Sequence, residues 1–371
     1  MIKIYKLILV VLIGFVLFLV AGQLFYKNQK TINLQSSSNS KEIVLPSLIQ
    51  DRLGQSFIVG IEGKILDDRS KQILEKIKPA GVILYYRNFE SPNQLKELIS
   101  QLQLLAIKTT NHPYFIMIDE EPGGATRLDL FENVFAFGTP NWQQIESDIK
   151  IMKSLGVNVD LAPIADFAFD DNAFIKDRVP ARSIDNLKDF NKKFISLLSQ
   201  NNILSTLKHF PGMGVFVEDP HKVLPSTDIG ILTIDKSIDI FKNGIDNGAD
   251  FVMTCHCVYD DIDPDNPATT SKIITTDILR KQVGFNGLII TDDLSEMPFT
   301  INKKIDLSQA TSQAIKAGNN LVLFSHKLTE TEIIFDKLLN IVKNDKELSL
   351  LVGQNYIKVV SLKNSKFEVS K

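Results

Sequence analysis

Short apolar runs alternate with amphipathic stretches along most of the chain, from about residue 43 onwards. The runs consist mainly of Val, Ile, Leu, Phe and Met and have the length of buried strands. Eight of them lie at 57–61, 82–85, 115–118, 157–161, 204–207, 251–253, 288–290 and 321–324. Helical candidates between them include 92–107, 186–200, 276–282 and 308–317, several preceded by a Ser, Asp or Thr that can cap a helix.

Strands that alternate with helices predict a parallel sheet, because parallel neighbours need a crossover connection. Eight such units favour a closed barrel over an open doubly wound sheet, and no GxGxxG sequence follows the first run. Only helical sequence, 346–362, follows the last run. We therefore predict an α/β fold, a single (β/α)8 TIM-type barrel over residues 43–371, with an N-terminal transmembrane anchor.

The chain begins with an uncharged run from Leu7 to Phe25 that follows Lys3 and Lys6. This run has about the length of a bilayer-spanning helix and is long for the apolar part of a signal peptide. We predict a signal anchor over residues 1–26, a flexible polar linker over 27–42, and an extracytoplasmic globular part. Cleavage near Ala21, which would give a secreted protein, is the alternative.

The composition excludes some classes of partner. The 371 residues are 44% hydrophobic and carry a formal net charge of -3, so the Lys and Arg excess expected of a nucleic-acid-binding protein is missing. The only two cysteines, Cys255 and Cys257, flank His256 and do not suit ordinary disulfide geometry, so we expect free thiols. No second Cys or His cluster completes a zinc site, and we expect neither a metal nor a cofactor.

Polar residues gather where the predicted strands end, which is where TIM barrels carry their active sites. These ends carry Asp119, Asp160 with Asp166 beyond it, Lys208 and His209, His256, Asp292 and Asp293, and Ser325 and His326. Each has an ordinary structural role open to it: Asp293 can cap the next helix, and His256 can be a histidine with satisfied hydrogen bonds. Carboxylates that converge on one barrel mouth are costly unless paired, so we expect a polar network or a binding site.

Two segments are more specific. The first, 208–214, is a Gly- and Pro-containing stretch that leads into Asp219 and His221, where the carboxylate can orient the imidazole. A solvated acidic turn is the alternative for this segment. The second, 287–297, is an apolar strand that delivers the pair Asp292 and Asp293 to the mouth of the barrel.

Six short motifs give the chain a family resemblance. They are GVILYYRNF (81–89), the IDEE that contains Asp119, KHFPG (208–212), the D-x-H of Asp219 and His221, VMTCH (252–256) and IITDDLS (289–295). In these motifs and their order the chain resembles glycoside hydrolase family 3, in particular its bacterial β-N-acetylglucosaminidase branch. The resemblance covers the whole globular part.

The resemblance implies a function and a set of site residues. It implies a retaining β-N-acetylhexosaminidase that removes terminal β-linked GlcNAc, with peptidoglycan-type glycans as the substrate class. Asp292 matches the nucleophile, and Asp219 with His221 matches the acid/base pair of this branch. The positions that match sugar contacts are Asp119, Arg127, Arg182, Lys208, His209 and His256, with Arg178 as the alternative to Arg182.

The chain departs from the family pattern at three positions. Pro122 and Gly124 stand where glycine and arginine are usual, and Met213 stands where a second histidine is usual. These changes put the fine substrate contacts in doubt but leave the nucleophile and the acid/base pair intact. Two other functions stay open: a β-glucosidase of the same family, and a membrane-anchored sugar-binding protein that has lost catalysis.

Overall fold

The computed structural model of the protein describes residues 43–130, 134–135, 139–228, 230–297 and 306–367. Within them, eight parallel strands close into a barrel, which confirms the predicted architecture. Each strand pairs with its neighbours in sequence, and the last pairs with the first. The barrel strands are β1 (Phe57–Gly60), β2 (Gly81–Ile83), β3 (Phe115–Ile118), β4 (Val159–Asp160), β5 (Leu204–Phe210), β6 (Phe251–Thr254), β7 (Leu288–Asp293) and β8 (Leu321–Phe324).

Helices surround the barrel; α1 precedes β1, and the others come after barrel strands in the sequence. They are α1 (Ile49–Gly54), α2 (Asp68–Ile77), α3 (Pro92–Thr110), α4 (Trp142–Leu155), α5 (Ile184–Gln200), α6 (Ile231–Asp246), α7 (Ile273–Gln282), α8 (Leu307–Ala317), α9 (Leu328–Asn344) and α10 (Lys346–Lys366). Helix α7 has π-helical hydrogen bonding. Ser91 caps α3 and Ser183 caps α5 through their side-chain oxygens, as the sequence suggests.

The barrel interior is a packed core at the amino ends of the strands and becomes polar at the carboxyl ends. Alternate residues point inward, so Leu204 lies in the interior apolar cluster while Lys208, four residues later, lines the cavity at the barrel mouth. Helix α10 covers the opposite end: Val359 joins the interior cluster, and Lys363 Nζ lies 5.0 Å from the centre of the Phe115 ring. The barrel is therefore closed below and open only at the mouth.

A two-stranded parallel sheet that the sequence pattern does not predict lies outside the barrel. Ser226–Thr227 pairs with Val258–Tyr259. This sheet joins the chain that follows His221 to the loop after β6. The long loop after β5 is therefore held at both of its ends.

The predicted anchor, residues 1–26, and the predicted linker, 27–42, lie outside the described residues. None of the helices in the described ranges is both long and apolar enough to cross a membrane.

Candidate active site

A cavity of about 390 Å³ lies at the carboxyl ends of the barrel strands. It receives side chains from the ends of β3, β5 and β7 and from the loops after β2, β3, β4 and β5. Its polar lining residues are Tyr85, Asp119, Glu121, Arg127, Arg178, Lys208, His209, His221, Asp292, Asp293 and Glu296. The mouth of the barrel therefore brings together most of the residues that the sequence singles out.

Asp292, near the end of β7, presents one carboxylate oxygen to the cavity. Its Oδ1 accepts a hydrogen bond from the backbone N–H of Asp293 at 2.8 Å, while its Oδ2 lies 3.6 Å from His221 Nε2 and 4.0 Å from His209 Nε2. Burial alone raises the pKa of this carboxyl, but the two histidines, His221 first, hold the pKa well below its usual range. Asp292 is therefore an ionised carboxylate with an oxygen directed at the cavity.

Asp293 has a structural role, as one of its sequence interpretations predicts. Its Oδ1 accepts hydrogen bonds from Ser295 N–H at 2.9 Å and from the Ser295 hydroxyl at 2.6 Å, capping the short helical turn Leu294–Glu296. Its Oδ2 accepts a short hydrogen bond from the Ser325 hydroxyl at the end of β8. Both oxygens are engaged, so Asp292 is the carboxylate of this pair that remains free to react.

His221 and Asp219 form a pair that faces Asp292 across the cavity. Asp219 Oδ1 accepts a hydrogen bond from the His221 backbone N–H at 3.0 Å and lies 2.9 Å from His221 Nδ1. The other ring nitrogen, Nε2, is thereby aimed at Asp292. Burial alone lowers the pKa of His221, but pairing with Asp292, and then with Asp219, raises it to about 9. At neutral pH His221 is therefore a protonated acid that faces an ionised carboxylate.

Glycines let the loop that carries His221 pack closely on the loop after β4. A Cβ on Gly214 would lie 1.5 Å from the carbonyl oxygen of Phe167, and one on Gly212, whose φ is +127°, would lie 1.9 Å from Ser237 Oγ. The carbonyl of Gly214 also accepts a hydrogen bond from Phe169 N–H at 2.8 Å. Larger residues at these positions would displace the loop and His221 with it.

His209 is fixed by a residue to which the sequence alone assigned no role. Asp166 Oδ2 accepts a hydrogen bond from the His209 backbone N–H at 3.0 Å and lies 2.8 Å from Nδ1 of its ring. Its other oxygen accepts a hydrogen bond from Met213 N–H at 2.6 Å. Met213, which stands in place of a usual histidine, is buried in an apolar cluster and lies outside the cavity lining. Its contribution to the site is thus its backbone.

A buried network of charges lies beside Asp292. Lys208 Nζ lies 2.8 Å from Asp119 Oδ1 and 2.6 Å from Glu121 Oε1. Arg178 forms a two-pronged pair with Glu121 at 3.0 and 2.7 Å, and Arg127 contacts Asp119 at 3.2 Å. Burial raises the pKa of Glu121, but Lys208 and Arg178 outweigh it and hold that pKa far below its usual range. The network presents fixed donors and acceptors at the cavity wall.

Glu120, the neighbouring acidic residue, is built into the loop after β3. Its carboxylate accepts hydrogen bonds from the Thr126 hydroxyl and from the backbone N–H groups of Arg127 and Leu128, at 2.8, 2.6 and 2.5 Å. Burial raises its pKa to about 7.

This loop also explains the departure at Gly124, because a Cβ there would lie 2.2 Å from Glu121 Oε2. An arginine at position 124 would therefore require a different position of Glu121.

The structure does not bring Arg182 to this cavity. Arg182 immediately precedes Ser183, the cap of α5, and lines a separate cavity. Arg178 instead reaches the catalytic cavity, because its guanidinium pairs with the buried Glu121. Of the two arginines, the structure thus brings Arg178, the alternative that the sequence left open, to this cavity, and contact of either arginine with a sugar stays a prediction.

His256 is likewise placed behind the cavity. Its Nε2 lies 3.0 Å from the Asp293 carbonyl oxygen and its Nδ1 lies 2.8 Å from the Thr269 hydroxyl, so both ring nitrogens already have partners. It is buried, and burial lowers its pKa. The prediction that His256 contacts the sugar is therefore corrected: it supports the backbone beside Asp292.

Two further residues of the site have no role in the sequence prediction. The Tyr85 ring lies at the cavity, with the guanidinium groups of Arg87 and Arg127 each 4.7 Å from its centre. Glu296, from the turn after β7, also lines the cavity. Tyr85 ends the second apolar run, so its position at a strand end was the available signal.

The described residues offer one set of possible metal ligands. Ligand atoms of Asp293, Glu296 and His326 lie within 4.8 Å of one another. Both Asp293 oxygens already accept hydrogen bonds from Ser295 and Ser325, which makes this residue a poor ligand.

Cys255 and Cys257 are free and buried, which confirms the prediction of unpaired thiols.

A (β/α)8 barrel with an ionised carboxylate opposite an imidazolium, in a cavity walled by charged hydrogen-bonding groups, suits attack on a sugar acetal. This arrangement defines the class as a glycoside hydrolase. Residues 48–362 match the profile of the glycosyl hydrolase family 3 N terminal domain. The chain therefore belongs to glycoside hydrolase family 3.

Known proteins of this family resemble the chain in sequence and structure. A protein named Beta-hexosaminidase from Psychromonas ingrahamii is 32% identical over 301 residues, which are 76% of this chain and 86% of that protein. One of the same name from Nitrosomonas eutropha is 29% identical over 285 residues, 72% of this chain and 79% of its own. Among solved structures, a glycoside hydrolase family 3 beta-N-acetylglucosaminidase from Paenibacillus sp. has a TM-score of 0.79 at 25% identity. The match covers 88% of this chain, which spans 64% of the Paenibacillus protein. A Beta-N-acetylhexosaminidase from Beutenbergia cavernae has a TM-score of 0.74 at 24% identity, and the match covers 86% of this chain and 99% of the Beutenbergia protein.

Proposed function

We propose that the protein is a retaining β-N-acetylhexosaminidase that removes terminal β-linked GlcNAc by double displacement. The single observation that carries the proposal is the position of His221, with Nδ1 on Asp219 and Nε2 3.6 Å from Asp292 Oδ2. A nucleophile and a proton donor thereby face the same point of the cavity. The names of the relatives supply the sugar class.

In the first step Asp292 Oδ2 attacks the anomeric carbon while His221 donates its Nε2 proton to the leaving oxygen. The bond from the anomeric carbon to that oxygen breaks, and a glycosyl ester of Asp292 forms. The anomeric carbon and the leaving oxygen must fit between Asp292 Oδ2 and His221 Nε2, which are 3.6 Å apart. We therefore expect these two groups to move apart when substrate binds, and the carboxylate-separation rule for retaining enzymes does not apply to this pair of an aspartate and a histidine.

In the second step neutral His221 takes a proton from water, whose oxygen attacks the anomeric carbon and releases Asp292. Two inversions leave the configuration unchanged. Asp219 stabilises the imidazolium that forms and keeps Nε2 directed at the cavity. Around the sugar, Asp119, Lys208 and Arg178 supply the hydrogen-bonding groups.

The substrate class that we propose is GlcNAc in peptidoglycan-type glycans. A β-glucosidase of the same family is disfavoured by the Asp219–His221 pair, because that pair provides the proton donor within this barrel. A sugar-binding protein without catalysis is disfavoured because nucleophile, proton donor and charge network are all in place despite Pro122 and Gly124.

The decisive experiment measures kcat/KM on aryl N-acetyl-β-glucosaminides whose leaving groups have graded pKa values. Asp292→Ala should abolish turnover. His221→Ala should slow poor leaving groups by about 10²- to 10⁴-fold and activated ones far less, because only poor leaving groups need the proton. Asp219→Ala should act in the same way without adding to the His221 loss.

A dependence that stays flat across leaving groups, or fully additive losses, would refute the acid/base pair. Glu120→Gln and Glu121→Gln would then be tested as alternative acids. Release of aryl glucose in preference to aryl GlcNAc would support the β-glucosidase, and no release of either aglycone would support the binding protein.

We also propose that residues 1–26 anchor the protein with its barrel outside the cytoplasm. The support is the uncharged run from Leu7 to Phe25. Membrane fractionation should find the full chain in the membrane, and a chain that begins near Ser40 should be soluble and active. A mature soluble protein whose N-terminus lies near Gln23 would show a cleaved signal peptide instead.

A further inference from the structure

A second cavity, of about 720 Å³, lies beside the catalytic one and is the larger of the two. Neighbouring residues of the same loops line the two cavities. Gly123 lines the second cavity and Gly124 the catalytic one, while Asp177 and Val179 line the second and Arg178 between them lines the first. The cavities are therefore separated by single chain segments of the loops after β3 and β4.

One wall of the second cavity is aromatic. Trp142, the only tryptophan of the chain, begins α4 and is half-buried. Its ring centre lies 5.0 Å from that of Phe190, and the Lys193 ammonium lies 4.2 Å from it. Aromatic faces of this kind receive the apolar C–H face of a pyranose ring, which is how a polar sugar buries surface. An exposed cation over a ring contributes about 0.5 to 1 kcal/mol, so Lys193 can be displaced.

The polar wall of the second cavity carries both signs of charge in equal number. Arg182 and Lys193 oppose Asp177 and Asp189. Within the described residues, neither Arg182 nor Asp189 is engaged in an ion pair. Balanced charges give no net attraction for an anionic ligand, but they supply both donors and acceptors for hydroxyl groups. The lining thus suits a neutral, hydroxyl-rich molecule, and the volume lies in the range of ligand sites.

The geometry points to a saccharide-binding site that holds the part of the glycan beyond the sugar being cleaved. Its ligand class is a neutral oligosaccharide; that this oligosaccharide ends in β-linked GlcNAc rests on the proposed function, and a GlcNAc tetramer serves as the probe. Trp142 provides the stacking face, and Arg182 and Asp189 provide the hydrogen bonds. The site gives Arg182 a role in binding sugar at a place different from the one that the family resemblance implies.

The single tryptophan makes the site directly observable. Full-length Asp292→Asn protein, which cannot complete the first step, is titrated with GlcNAc tetramer while Trp fluorescence excited at about 295 nm is recorded. We expect the Trp fluorescence to change saturably with the tetramer and to change little with GlcNAc monomer. The test does not depend on turnover, so it separates this site from the proposed activity.

Kinetics supply the second readout. Trp142→Ala should raise KM for the GlcNAc tetramer about threefold to tenfold and leave kcat/KM for an aryl monoglycoside within twofold. Trp142→Phe should retain most of the affinity. Because Trp142 also packs on the core, Asp189→Asn is tested beside it, with Asp185→Asn on the same helix as a matched control that lies outside the cavity lining.

Three results would overturn the site. The first is a Trp fluorescence of Asp292→Asn that does not change when tetramer is added, although the wild-type enzyme hydrolyses the same tetramer. The second is an Asp189→Asn variant whose kcat/KM falls by the same factor for the tetramer and for the aryl monoglycoside. The third is a response to an acidic peptide and none to the saccharide, which would make the cavity a peptide site. A Trp response in a protein without hydrolytic activity would support the site and refute the proposed function.

Discussion

Replacing Asp292 with asparagine should lower the pKa of His221 from about 9 toward its ordinary value of 6.5. Asparagine keeps the shape of the side chain and removes its charge. Pairing with that charge is the main cause that raises the pKa of His221, and Asp219 comes after it. The variant also imitates the proposed glycosyl ester, in which Asp292 would have lost its charge.

The size of the pKa shift can be compared with the attraction expected between the two charges. A change from 6.5 to about 9 corresponds to about 3 kcal/mol in favour of the imidazolium. Opposite unit charges 3.6 Å apart interact by about 4 to 5 kcal/mol at an effective dielectric of 20. Burial of the imidazolium offsets part of that attraction. Pairing with Asp292 is therefore large enough to produce most of the shift.

The assay is an NMR titration of the imidazole nitrogens, which is practical because the chain has five histidines. His221→Gln identifies the His221 signal, and His112 serves as a control because its shift arises from burial and from Lys363. The folded pKa of His221 lies above its unfolded value, so the stabilisation by this pair is complete below about pH 6.5. It is lost as the pH rises to about 9, and kcat/KM should fall above that pH.

An unchanged His221 titration in Asp292→Asn would refute the reasoning, because the charge of Asp292 would then not control the imidazole. A shift of His112 in the same variant would point to a general structural change. If the pKa of His221 returns to its ordinary value in Asp219→Asn but stays raised in Asp292→Asn, then Asp219 is the residue that controls this pKa.

Three other perturbations test the assignments around the site and the base of the barrel. Arg178→Ala should lower kcat/KM for an aryl N-acetylglucosaminide about 10- to 100-fold in steady-state kinetics, because it removes a buried charge partner; Arg182→Ala should stay within twofold. Asp166→Asn should lower kcat about tenfold and change the His209 tautomer seen by NMR, since His209 loses the carboxylate that holds Nδ1; an unchanged tautomer would contradict this. Lys363→Met should flatten the pH dependence of unfolding. Burial holds the pKa of Lys363 well below 10.5, so the wild type loses about 1.4 kcal/mol per pH unit as the pH falls below 10.5 toward the folded pKa. Equal slopes in denaturant titrations of both proteins would show that Lys363 is charged in the fold.

The fold could be predicted because each barrel strand is a buried apolar run with a recognisable length. The third and eighth runs coincide with β3 and β8. The predicted run 157–161 contains only a two-residue strand, Val159–Asp160, because Leu161 and the residues after it turn into the loop. The strand β5 extends to Phe210, because strand pairing continues past its apolar part into Lys208 and His209.

The site could be predicted where a strand end decides the position of a residue, and less well where a loop does. Asp292 lies near the carboxyl end of β7, so its place at the barrel mouth follows from the fold. Arg178 and Arg182 are four residues apart in one loop, and only the pairing with buried Glu121 decides which of them enters the cavity. His256 lies two residues beyond the end of β6, but its two hydrogen bonds turn it behind the cavity.

The charge network gives a reason why one imidazole can serve as acid and then as base. In the free enzyme the Asp292 carboxylate favours the imidazolium of His221, which suits proton donation. In the proposed glycosyl ester that negative charge is gone, while the buried Lys208 and the partly buried Arg178 remain as cations of the same cavity. The imidazolium is then less stable, because of the groups that raise the pKa of His221 only Asp219 and the weaker Glu296 still carry their charge. The pKa of His221 should therefore fall at the moment when the reaction needs a base, because the chemistry at Asp292 itself removes the charge that had raised it.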